Sequence, residues 1–277
     1  YFYILMPKGI NIFNFVPSVS TPIVDPDAQA FITAASITDP TQQSAIDTLV
    51  TDLKGYGIWT KMKAIYPFVG GTASSHKFNL KDPRDLDAAF RLVFNGGGTH
   101  SSSGYLPNGT NAYANTYLNA QSNLTIDDVH LSYYSRTNNS ANTSAEIGCI
   151  SSSRYLHMHL YYTDAAITDK FLTLVNTNSV PQFSVGQSDG FFVGNKSATS
   201  VMKAYFNSVA LTPLTVNNIA LPSENIFIGG LNNSGSPSNY SIRECAFSSI
   251  GDSLTDTEAS DFYTAVQAFN TTLSRQV

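Results

Sequence analysis

The chain has 277 residues, 42% of them hydrophobic but only 13% charged, and a net charge of −5. That apolar content excludes a disordered polypeptide, and a chain this long buries roughly 75% of its unfolded surface, so neither disulfides nor a metal are needed for stability. An acidic balance with no long basic run excludes a phosphate-backbone partner, and nucleic acid with it.

Residues 1–24 read as an extended arm, because Pro7, Pro17 and Pro22 discourage helix. Pro7 interrupts the opening YFYILM, which is too short to span a bilayer and lacks the basic start of a signal peptide. Ile10, Ile12, Phe13, Phe15 and Val16 make the arm too apolar to stand alone in water. It either docks on its own domain or joins a neighbouring subunit, which makes these residues a candidate assembly device.

Residues 25–65 change character and form a helical block. A short helix is predicted around Ala28–Ala35, with Phe31 and Ile32 inward. In SITDPTQQSAIDTLVTDLKGYG, Asp39 is an N-cap, Pro40 occupies the tolerated first position and Gln42 completes a box-like spacing. Ile46, Leu49, Val50 and Leu53 form the apolar stripe, and Gly55 is the expected stop.

From KAIYPFVGG onward the period becomes two, and residues 66–277 read as one β domain. AFRLVF, AYANTYL, VHLSYYSR, SAEIGCI, RYLHMHLYY, GFFVGN, VMKAYFN, ENIFIGG and IRECAFSSI have strand length. NGGGTHSSSG, RTNNSANTS and LNNSGSPSN separate several of them. Short strands joined by polar turns predict an antiparallel sandwich or barrel. The chain then closes on a helix: Thr255 and Glu258 have capping-box spacing, and Phe262, Val266, Phe269 and Leu273 line one face.

This order of segments resembles the concanavalin A-like, laminin-G-like jelly roll from about Phe94 to Val277. LPNGTNAYANTYL (Leu106–Leu118), VMKAYFNSVAL, ENIFIGG and the closing strand–helix unit IRECAFSSIGDSLTDTEASDFYTAV carry the resemblance. It implies a jelly-roll β-sandwich whose last helix lies against the edge or mouth. The run DAQAFITAASITDPTQQSAIDTLVTDLKGYGIWTKMKAIYPFVGG, joined to that sandwich and to QAFNTTLSRQV, is similar to modules of tailed-bacteriophage structural proteins. That similarity implies a tail, fibre or capsid-associated component on the virion surface, partnered by other virion proteins and by itself.

Candidate chemistry is sparse. Glycan hydrolysis needs two carboxylates across the scissile bond; the glutamates are Glu146, Glu224, Glu244 and Glu258, and none opens an E-x-D-x-E strand. The chain is therefore expected not to be an enzyme, with no catalytic residues, no cofactor and no metal. His157 and His159 share a strand face with Tyr155 and Tyr161, opposite Leu156, Met158 and Leu160. A zinc site needs a third ligand, so a solvated or interfacial face is expected there. Asp127, Asp128, Asp189 and Asp252 are loop acids of the kind that hold calcium, without EF-hand spacing. Cys149 and Cys245 are read as buried free thiols. Recognition suits the loop residues Tyr105, Asn108, Asn138, Asn139, Asn232, Asn233 and Tyr240, since amides bond sugar hydroxyls and tyrosines stack on sugar faces. Most such residues also make turns. The sequence thus points to a virion protein contacting cell-surface glycans, with a stand-alone lectin as alternative and a glycoside hydrolase or lyase behind it.

Overall fold

The computed structural model describes residues 24–139, 143–162, 170–175, 182–218 and 220–277. The arm residues Ile10, Ile12, Phe13, Phe15 and Val16 lie outside that set.

Helices α1 (Pro26–Ala34) and α2 (Pro40–Gly55) come first, then β1 (Met62–Tyr66) and the single turn α3 (Ala73–His76). Next are β2 (Val93–Asn95), β3 (Thr99–Ser101), β4 (Gly104–Leu106), β5 (Tyr113–Asn119), the turn α4 (Ala120–Asn123) and β6 (Val129–Ser135). The middle holds β7 (Ile147–Ser151), β8 (Arg154–Tyr162), β9 (Lys170–Val175), β10 (Gln182–Ser184), β11 (Gly190–Ala198) and β12 (Val201–Phe206). The last part runs β13 (Val209–Ala210), β14 (Leu214–Thr215), β15 (Asn225–Ile228), β16 (Leu231–Asn233), β17 (Ser236–Ser238), β18 (Cys245–Gly251) and α5 (Asp256–Thr272).

The strands make an antiparallel jelly-roll β-sandwich. One sheet has the order β13-β12-β11-β6-β18-β4-β3, with β1 beside β18 and β14 beside β12. The second has the order β10-β9-β8-β7-β15-β5-β2, and the β16–β17 hairpin joins it by a parallel pairing of β16 with β7. Neighbours in space are distant in sequence, which is the long-connection pattern of Greek-key and jelly-roll sandwiches.

Strand alternation divides the core in two. Between the sheets, Leu131, Tyr133, Phe192 and Ile250 of the first meet Leu118, Ile147, Met158 and Ile228 of the second. On the other side of the first sheet, Tyr134, Phe191, Val193, Tyr205 and Phe247 pack under the helices, against Phe31, Leu49, Val50, Phe262, Val266 and Phe269. The first sheet is therefore buried on both faces, and β6 and β18 are buried at every position. The helical block lies flat on that outer face together with α5, which packs beside α2. This corrects the expectation that the last helix sits at an edge or mouth. A stripe of Phe262, Val266, Phe269 and Leu273 needs a broad apolar surface, and the sheet face supplies one.

The caps repeat the sequence logic with two changes. Thr255 Oγ1 accepts from Glu258 N at 3.2 Å, and Glu258 Oε2 accepts from Thr255 N at 2.7 Å. Asp39 caps α2 through Gln42 N. The Gln42 side chain does not close a box, because its Oε1 accepts from Gly70 N at 2.8 Å instead. The helix stops through Gly57, whose φ of 74° only glycine takes readily, rather than through Gly55. Cys149 and Cys245 are buried and unbridged, one in each sheet.

Two of the buried charged groups tie distant segments of the sandwich together. Arg243 and Glu146 have fully buried side chains and meet at 2.7 Å. Glu146 also accepts from Leu160 N of β8 at 2.8 Å and from the Ser144 and Ser241 hydroxyls, so both carboxylate oxygens are occupied. The second is Lys196, whose buried Nζ donates to Asp127 Oδ1 at 2.6 Å, Asn218 Oδ1 at 2.9 Å, and the carbonyls of Ala198 and Thr199, each at 3.0 Å. An ammonium group thus sits where the sequence offered Asp127 as a calcium ligand. Asp127 is about a third exposed, which screens part of the interaction, so Lys196→Met is expected to cost about 2–3 kcal/mol. Urea unfolding checks this, and a loss under about 0.5 kcal/mol contradicts it.

Candidate functional site

Helices α1, α2 and α5 pack on the first sheet and not on the outer face of the second, where part of β5 stays half-exposed while Phe227, His157 and His159 are buried. The side chains of that face come from alternate strand positions. β5 shows the pattern most clearly: Ala114, Thr116 and Leu118 are buried toward the core, while Tyr113, Asn115, Tyr117 and Asn119 stand half-buried on the outer side. Asn225 and Phe227 of β15 share that side, paired with Asn119 and Asn115.

The aromatic residues gather at one end. Tyr113 stacks on Phe227 with ring centroids 4.5 Å apart and an interplanar angle of 24°. Tyr240, from the segment after β17, tilts against Tyr113 at 6.5 Å, and its hydroxyl donates to Pro237 O. Gly230 lies between them, where a Cβ would come within 3.4 Å of the Tyr240 ring and 3.5 Å of Tyr113 Cβ. Burial raises the Tyr113 pKa, with smaller contributions from the Tyr240 and Tyr117 phenols.

β5 carries a bulge at this point. Pairing with β15 skips between Asn225 and Phe227, so extra residues of β5 face Ile226. Thr116 Oγ1 donates to Ile226 O at 2.8 Å and accepts from Leu118 N at 3.0 Å, while Asn115 Oδ1 accepts from Tyr117 N at 2.9 Å. Tyr117 is held at φ 55°, a left-handed conformation rare for an aromatic residue.

The loop residues named from sequence divide among four places. Tyr240 belongs to the patch, and Asn232 and Asn233 flank it on β16. Asn232 is buried: its Nδ2 donates to Asn225 O and its Oδ1 accepts from Gly235 N. Asn233 is exposed. Asn108 folds its own turn, its Oδ1 accepting from the amides of Thr110, Asn111 and Ala112. Asn138 Oδ1 accepts from Ser188 N, Asn139 N–H donates to Ser188 Oγ, and Asn139 O accepts from Arg243 Nη2. Tyr105 is not in a loop. It lies in β4, fully buried, with its ring 4.9 Å from Phe94, 5.0 Å from His100 and 6.1 Å from Phe68. The NGGGTHSSSG segment before it supplies β3, so the chain pairs where a turn was expected. Tyr113, Asn115, Tyr117 and Phe227 were not singled out, although the alternation in YANTYLN displays three of them.

His157 and His159 share the outer side of β8 as predicted, but they are buried, each 5% exposed, and not solvated. Burial depresses both pKa values, most strongly for His157. Their ring nitrogens are bonded within the protein: His159 Nδ1 donates to Ser144 O at 2.6 Å, and its Nε2 meets His157 Nδ1 at 3.1 Å. Other carboxylates are also engaged: Glu244 with Arg136, Glu258 with Lys61 and Asp252 with Lys63. No cluster of three or more His, Cys, Asp or Glu side chains suited to a metal occurs among the described residues.

Buried histidines make stability depend on pH. Burial lowers His130 to about 4, and burial with the charge of His100 lowers His76 to about 3. The unfolded chain takes up these protons near pH 6.5, so between pH 6.5 and 4 it binds more protons than the folded one. Their stabilisation is complete above about pH 6.5 and lost as pH falls toward 4, at up to about 1.4 kcal/mol per pH unit for each group. Urea midpoints at pH 7, 6 and 5 are expected to fall steadily, with a shallower slope for His130→Gln. A flat profile contradicts this.

No protein-family model matches the chain, and no curated protein matches it. Solved structures do. The binding domain of botulinum neurotoxin DC, in complex with rat synaptotagmin II, aligns with TM-score 0.51 at 10% identity, over 76% of this chain and 53% of that one. That likeness shows the fold: a β-sandwich of the same kind. Domain 4 of the extracellular arabinanase AbnA from Geobacillus stearothermophilus, in complex with arabinotriose, aligns with TM-score 0.47 at 11% identity, over 73% of this chain and 98% of that one. The CBM40 of the Ruminococcus gnavus IT-sialidase, bound to sialyllactose, aligns with TM-score 0.34 at 15% identity, over 48% and 80%. No helix among the described residues is long and apolar enough to cross a membrane.

Proposed function

We propose that this chain is a non-enzymatic, glycan-binding β-sandwich module of a tailed-bacteriophage structural protein, displayed on the particle and self-associating through its arm. The observation that carries the glycan reading is the patch on the outer side of the second sheet, where half-buried Tyr113, Tyr117 and Tyr240 stand beside Asn115 and Asn225, with buried Phe227 stacked against Tyr113. Tyrosine rings offer a flat apolar surface to the C–H face of a sugar, and amides bond its hydroxyls in both senses. Helices α1, α2 and α5 pack on the first sheet, away from this patch. The virion reading rests on the resemblance of the helical block and its join to the sandwich.

Incubating the protein with insoluble polysaccharides tests the first part. Retention without release of reducing ends is expected, and release that vanishes on replacing one aspartate contradicts it. Solution mass tests the second part. The full chain is expected to form a defined oligomer and a chain lacking residues 1–24 a folded monomer. Identical monomers favour the stand-alone lectin.

A further inference from the structure

The conformation of Tyr117 and the charge of its surroundings narrow the ligand, on the footing that the patch on the second sheet is the glycan contact. Tyr117 sits in the β5 bulge at φ 55°, where glycine or asparagine is the comfortable residue. Its ring stands half-buried on the outer side rather than in the core cluster, so core packing gives no reason for an aromatic side chain there. The Asn115 amide oxygen accepts from Tyr117 N and the Thr116 hydroxyl from Leu118 N, so the backbone that carries the ring is set before any ligand arrives. Strain retained at a residue that adds nothing to the core is a mark of function.

The second observation is charge. β2, β5, β15 and the β16–β17 hairpin hold no Asp, Glu, Lys or Arg. The cations that flank these segments in the chain are already engaged, Arg91 with Asp85 and Asp87 and Arg243 with Glu146, and Glu224 beside Asn225 is itself an acid. A sialic acid carboxylate placed here would lose its hydration with no cation to replace it, on a protein of net charge −5.

We infer that Tyr117 is the stacking platform for an uncharged pyranose ring, and that this site selects neutral over sialylated glycans. An array carrying glucose-, mannose- and galactose-terminated oligosaccharides beside sialylated ones tests the selection. Titration of the best neutral ligand into the Tyr117→Gly, Tyr117→Asn and Tyr117→Phe variants tests the residue. Neutral glycans are expected to bind. Tyr117→Gly and Tyr117→Asn are expected to weaken binding at least about tenfold while the urea midpoint holds or rises, and Tyr117→Phe to bind like the parent. Preference for sialylated glycans overturns the inference and leaves the glycan reading standing. So does undiminished binding by Tyr117→Gly, or a lower urea midpoint in both the glycine and asparagine variants. Failure to bind any glycan overturns the reading beneath it.

Discussion

Arg243→Met is expected to destabilise the fold by about 3–5 kcal/mol, because it leaves the Glu146 carboxylate buried without its cation. Both side chains are fully buried, and the pair stands where residues leading into β18 of one sheet meet those leading into β7 of the other. The guanidinium also donates to Ser144 Oγ and Asn139 O, while Tyr133 donates to the Arg243 carbonyl, so the loss spreads to the chain around it. Removing the charge on both sides, as Glu146→Gln with Arg243→Met, is expected to recover a substantial part of that loss, since no bare ion remains. Equilibrium urea unfolding measures each. A cost for Arg243→Met below about 1 kcal/mol contradicts a fully dry pair.

Phe262→Ala is expected to cost a similar amount, about 3–5 kcal/mol, through a different mechanism. The ring is fully buried beneath α5 and meets Phe191 at 5.1 Å, Phe247 at 5.9 Å and His130 at 6.0 Å, each edge to face. It joins the last helix to three strands of the first sheet. Its loss opens a cavity that β6, β11 and β18, each paired on both sides, cannot close by moving. Thermal and urea unfolding check this value. A cost below about 1.5 kcal/mol would mean that α5 packs loosely.

The fold was legible where local chemistry and periodicity agree. The box of Thr255 and Glu258, the proline-led start of α2 and strands β5, β6, β7, β8, β11, β12, β15 and β18 form where the sequence places them, whereas LNNSGSPSN, read as a connection, folds into the β16–β17 hairpin. What sequence could not show is which surface a stripe seeks. The stripe of Phe262, Val266 and Phe269 reveals that α5 lies on something, but only the pairing of distant strands makes the first sheet broad enough to receive it. Buried polar groups were hidden for the same reason. Glu146 and Arg243 are far apart in the chain, and nothing local marks a bare carboxylate as one partner of a dry ion pair. His157 and His159 looked solvated because alternation locates a face without saying what lies beneath it.

The candidate site divides in the same way. Tyr240 was legible because an aromatic in a polar loop stands out, whereas Tyr105, chosen on the same grounds, is a core residue that forms a strand beside the glycine-rich turn. Asn108 and Asn232 show the common fate of loop amides, holding their own turns closed. Tyr113, Asn115 and Tyr117 were visible as one side of YANTYLN, but no local signal says which side of a strand the helices leave uncovered.

The most direct measurement is amide chemical-shift mapping of the isotope-labelled full chain, titrated with the neutral oligosaccharide that binds best on the array. The account gives saturable shifts concentrated at residues 113–117, 225–227 and 240, with the helical side silent. Shifts concentrated on α1, α2 and α5, with the second sheet unchanged, would contradict it.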